Sequence, residues 1–137
     1  MRVSADVTVR KPAGRLTVSG AASGTMEPYA LVLSAANDLL NWDGTGVAQS
    51  GQPFAPNLRV DIRNGRVVRA SLMWPTLGAG MQCDSTIPAS PVVPACNDAV
   101  RVSADGLTLT FTGLRLQGFL TSLETVTLDG TLAGPGL

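Results

Sequence analysis

Short runs in which apolar and polar residues alternate, separated by turns rich in glycine and proline, make up most of the chain. Val3, Ala5, Val7 and Val9 alternate with Ser4, Asp6, Thr8 and Arg10, the period-two pattern of a half-buried strand. Lys11-Pro12-Ala13-Gly14 turns the chain, and Leu16 and Val18 then share one face of a second strand that ends in the small-residue stretch 20–24. Residues 29–36 are apolar on both faces, as in a central strand, although the alanines also permit a short helix. Residues 37–46, NDLLNWDGTG, read as a polar turn region with Trp42 at its tip, and Pro53 and Pro56 punctuate the approach to the next strand.

Residues 57–74 read as a hairpin around Asn64-Gly65, and packing chooses between two registers. A two-residue loop pairs Ile62 with Val67 and Val60 with Arg69, which puts an arginine on the apolar face. A three-residue loop, Arg63-Asn64-Gly65, instead aligns Leu58, Val60, Ile62, Val68, Ala70, Leu72 and Trp74 on one face, with only Arg66 intruding. That register is the expected one. Its opposite face carries Arg59, Asp61, Arg63, Val67, Arg69, Ser71 and Met73, turned to water or a partner.

A second hairpin surrounds Asp105-Gly106, and here packing favours a two-residue turn, with Val102 opposite Leu109 and Val100 opposite Phe111. The alternation slips phase after Thr112-Gly113, which predicts a bulge or bend at Gly113. Residues 124–133 form the last strand, with Val126, Leu128, Gly130 and Leu132 on one face. The pentapeptide RVSAD occurs at residues 2–6 and 101–105, a similarity too short to establish a duplicated unit.

Between the hairpins lies the least strand-like segment, residues 75–98. Loops of that length without secondary structure are uncommon in compact domains and usually carry function. Cys83 and Cys96, the only cysteines, are expected to form a disulfide that closes the loop, since a chain without histidine lacks the usual partners for a zinc site. Pro88, Pro91 and Pro94 recur every third residue, the period of polyproline II, and predict a stiff extended arm. Asp84, Asn97 and Asp98 gather beside the disulfide, but solvated turn-capping side chains are the favoured reading, and no metal is expected there. A calcium loop over Asn37, Asp38, Asn41 and Asp43 fails because Leu39 takes its first ligand position.

The pattern amounts to a single all-β domain over residues 1–137, an antiparallel β-sandwich of about seven to nine strands, with a closed β-barrel as the alternative. Ten basic and ten acidic residues give zero formal net charge, so no nucleic acid or anionic membrane is implied as a partner. No apolar run is long enough for a transmembrane segment. The absence of histidine removes the commonest base for a serine or cysteine nucleophile, and neither a G-x-S-x-G elbow nor a phosphate-binding glycine loop is present. The expected function is therefore non-catalytic, with no cofactor.

The disulfide favours a periplasmic or extracellular home, with any export signal absent from this sequence. Within that setting the leading expectation is a module for protein–protein interaction, such as a cell-envelope subunit, inhibitor or ectodomain. It would use the pinned loop, with Met73, Trp74, Met81, Ile87, Pro88, Pro91, Val92, Val93 and Pro94 as contact residues. A carbohydrate-binding module with Trp42 or Trp74 as a stacking platform is the first alternative. A carrier of an apolar ligand inside a barrel is the second.

Overall fold

The computed structural model describes residues 7–10, 13–36, 39–46, 55–74, 80–88, 90, 93–104, 108–118 and 124–133. Among them are eleven strands and no helix: β1 Val7–Arg10, β2 Ala13–Gly20, β3 Gly24–Met26, β4 Pro28–Ala36, β5 Leu39–Gly46, β6 Asn57–Arg63, β7 Arg66–Met73, β8 Met81–Asp84, β9 Val100–Val102, β10 Thr108–Gly118 and β11 Thr125–Ala133. All pair antiparallel in one hydrogen-bonded path, β1-β4-β5-β6-β7-β8-β10-β11-β2-β3, with β9 attached to β10. The sheet curls on itself as a half-barrel. At one end of the path β3 returns towards β5 and β7, where the Gly46 backbone meets the Met26 side chain and Gly24 meets the Trp74 indole.

One hydrophobic core fills the curl. Leu16 and Val18 of β2, Leu58, Val60 and Ile62 of β6, Leu109 and Phe111 of β10, and Val126 and Leu128 of β11 are all buried in it, each on the inward parity of its strand. Gly113, at φ 78°, produces the expected bulge: the register of β10 against β11 shifts between Thr112 and Leu114, which returns Leu114 and Leu116 to the core side. The second hairpin pairs as expected, Val102 with Leu109 and Val100 with Phe111. Its Asp105-Gly106 turn lies outside the described residues, as do the first RVSAD segment, the start of the first strand and Pro53. Residues 28–36 form β4, so the helical alternative falls away.

The first hairpin corrects the expected register. Asn64 and Gly65 both take positive φ, 53° and 74°, which is the two-residue type I′ turn, and Arg63 pairs with Arg66 and Ile62 with Val67. The objection to that turn, an arginine opposite Val60, is removed by a bulge. The register shifts between Asp61 and Ile62, so Val68 is the extra residue, Asp61 faces Arg69, and Val60 faces Ala70. Val67 thereby packs against the core in place of Val68.

Two further expectations fail for related reasons. Residues 39–46 are strand β5 and not a turn: Leu40 and Trp42 point inward, while the polar residues that made the segment look like a loop, Asn41 and Asp43, lie on its other face. Residues 75–98 likewise contain a strand, β8, whose Met81 and Cys83 are buried and whose partners are β7 and β10.

Candidate functional site

Strands β8 and β9 lie end to end along the same edge of β10. Gln82 pairs with Gln117 and Met81 with Gly118 at one end, and Val100 pairs with Phe111 and Val102 with Leu109 at the other. The connection between them, residues 85–99, therefore leaves the edge and returns to it at nearly the same place, opposite the Gly113 bulge. Asn97 seals the gap, its Nδ2 donating to the Gly113 carbonyl at 2.9 Å and its Oδ1 accepting from the Arg115 amide at 3.0 Å. The bulge leaves backbone groups of β10 without strand partners, and one side chain satisfies both an acceptor and a donor.

The base of this loop is clipped several times. Cys83 and Cys96 are disulfide-bonded, with Cα atoms 4.9 Å apart. The Asp84 amide donates to the Pro94 carbonyl, the Ser85 amide to the Val68 carbonyl freed by the first-hairpin bulge, and the Cys96 amide to Ser85 Oγ. Asp84 is buried and accepts from the amide and hydroxyl of Thr86, a turn that starts the loop outward. Asp98 pairs with Arg66 at 3.1 Å, tying the loop to the turn of the first hairpin. The three residues beside the disulfide are thus engaged in turn, seal and ion pair, and the described residues include no cluster of three metal-ligating side chains.

Within the loop the chain folds back. The Ser90 amide donates to the Val93 carbonyl and the Val93 amide donates to Ser90 Oγ, closing a turn. Polyproline II has no internal hydrogen bonds, so the extended arm expected from the proline spacing is instead a compact reversal. Ile87 and Pro88 are exposed, Ile87 at 47%, and Val93 and Pro94 are half-buried. Pro91 and Val92 lie outside the described residues.

The remaining expected contact residues separate. Trp42 and Trp74 are buried at 3% and 5%, and Met81 joins them in the core, so neither indole offers a stacking face. A tryptophan carries too much apolar area to be left in water when its strand parity turns it inward. Met73 is 43% exposed but sits at the opposite end of the β7–β8 pair from Ile87.

A second feature lies on the outer face of the sheet. An open groove of about 300 Å³ is lined by Arg59, Asp61, Arg69, Ser71 and Gln82. Asp61 is only 2% exposed although it points away from the core. Arg69 Nε donates to its Oδ2 at 2.6 Å, and Asn41 Nδ2 donates to its Oδ1. Beside it, Asn57 Nδ2 donates to Asp43 Oδ1 at 2.9 Å, so both acidic and amide residues of β5 are held by β6. The sequence placed Arg59, Asp61, Arg69 and Ser71 on one face, but Asn41 and Gln82 were hidden in segments that read as loops.

No protein-family model, curated protein or solved structure matches this chain at a significant level.

Proposed function

We propose that this chain is a non-catalytic, exported β-sandwich module that binds another protein through the loop between β8 and β9. The observation that carries the reading is Ile87: a large apolar side chain, 47% exposed, on a loop whose two limbs are clipped together at the base. A loop already ordered by a disulfide, a buried aspartate turn and a Ser90–Val93 reversal loses little conformational entropy when a partner docks. Thr86, Ile87 and Pro88 would enter the partner's pocket, and the Arg66–Asp98 pair would form part of a polar rim. The disulfide supports an oxidising compartment, the periplasm or the extracellular space.

The test separates interaction from mere cover. A variant with residues 86–88 replaced by Gly-Ser-Gly should melt within about 2 °C of the parent, because these side chains bury little area. A photo-crosslinking residue at position 87 should capture one partner from an envelope or secreted fraction, and the same group at exposed Arg101 should not. A replaced loop that melts much earlier, or equal capture from both positions, overturns the assignment.

A further inference from the structure

The groove on the outer face is untouched by the loop proposal and stands independently of it. Cross-strand pairing sets Arg59, Ser71 and Gln82 in one row over three adjacent strands, with Asp61 and Arg69 in the row beside it. With strands about 4.8 Å apart, the row is about 10 Å long. The charges in it do not balance. Asp61 is saturated by Arg69 and Asn41, and Arg59 Nε stands 4.0 Å from Asp61 Oδ1, beyond hydrogen-bonding distance, with its side chain 58% exposed. Two guanidiniums therefore face one carboxylate, and the donors of Arg59 point into a groove that has no apolar side chain in its lining.

We propose that this groove binds an acidic sugar, its carboxylate held by Arg59 and its hydroxyl groups by Ser71 and Gln82. Arginine offers only donors, in a planar fork suited to a carboxylate. Sugar hydroxyls both donate and accept, and a serine hydroxyl and a glutamine amide answer both needs. The wholly polar lining decides against the competing ligands: a protein partner would bring apolar or aromatic anchors that find no pocket here, and an apolar ligand would find no lining at all. A bare oxyanion would engage Arg59 and leave the rest of the row idle. Asp61 acts as a positioning residue, fixing Arg69 at the groove wall. Without an aromatic platform the affinity is modest, with a dissociation constant on the order of 1 mM.

The experiment is an amide-resolved NMR titration of the intact protein with uronic acid trisaccharides (galacturonate, glucuronate and mannuronate), their methyl esters, tetraglutamate and inorganic sulfate. The expected result is saturable shifts at residues 59, 71 and 82 with at least one uronate trimer, and at least tenfold weaker binding of its ester. Arg59→Gln should weaken binding at least tenfold and Gln82→Ala several-fold, with both variants melting near the parent because neither side chain is buried. Equal binding of sulfate and uronate marks a bare-anion site, and tighter binding of tetraglutamate marks a peptide site; either overturns the proposal. So does uronate binding that survives Arg59→Gln, or no shift with any trimer at tens of millimolar.

Discussion

Asp61 and Arg69 stand directly opposite one another across β6 and β7, joined by an Nε–Oδ2 hydrogen bond of 2.6 Å, because the bulge at Val68 moves Arg69 one position out of the apolar row. One inserted residue thus turns an arginine that would have been buried against Val60 into the partner of a nearly inaccessible carboxylate. The two arginines of this face consequently differ in what they do for stability. Arg69→Ala should lower stability by about 1.5 kcal/mol, the low end for a hydrogen bond to a charged group because Arg69 is itself half-exposed. Arg59→Ala should cost less than about 0.5 kcal/mol. Urea titrations of the two variants check the difference, and equal losses would contradict the pairing.

Glycine-to-alanine changes should separate backbone strain from steric clash. Gly65 has φ 74° and open space around it, so Gly65→Ala should cost about 1–2 kcal/mol from conformation alone. At Gly130, φ 130°, an added Cβ would lie 2.2 Å from the Arg15 carbonyl oxygen of the neighbouring β2. Gly130→Ala must push two paired strands apart and should lose several times as much, read as a melting temperature lower than that of Gly65→Ala.

The disulfide should contribute about 3 kcal/mol by closing a short loop in the unfolded chain. Thermal melts with and without reductant, or of a Cys83→Ala, Cys96→Ala double variant, should show that loss. Limited proteolysis of the reduced protein should cut first within residues 86–95, because the disulfide is the covalent member of the clip that holds this loop down. First cleavage elsewhere would argue that the hydrogen bonds alone hold the loop.

Asn97 serves the β10 bulge with both ends of its amide, so graded substitutions should give graded losses. Asn97→Ala removes a donor to Gly113 and an acceptor from Arg115, a cost of about 1–3 kcal/mol. Asn97→Asp keeps the acceptor and sets a negative charge against the Gly113 carbonyl, so it should not rescue the loss. Asn97→Ser should fall between parent and alanine, since a hydroxyl can meet one group but lacks the reach for both. Chemical denaturation of the series tests the order.

The alternation of side chains was enough to establish an antiparallel β protein, the pairing of the second hairpin, the slip at Gly113 and the inward faces of β2, β10 and β11. Each is a local property: parity along one strand, or turn chemistry between two neighbours in sequence. The disulfide was legible too, because two cysteines in a chain without histidine leave few other uses. What the sequence did not decide depends on partners remote along the chain. Residues 39–46 read as a turn because their outward positions are polar, and only pairing with β4 and β6 makes them a strand that buries Trp42. Residues 81–84 are too short to declare themselves and exist as a strand only between β7 and β10. The Val68 bulge was invisible for the same reason, since a bulge is set by what lies across the sheet and not by its own residue type. The polar groove needed all three, as its side chains come from four strands that the linear pattern could not bring side by side: Asn41 from β5, Arg59 and Asp61 from β6, Arg69 and Ser71 from β7, and Gln82 from β8.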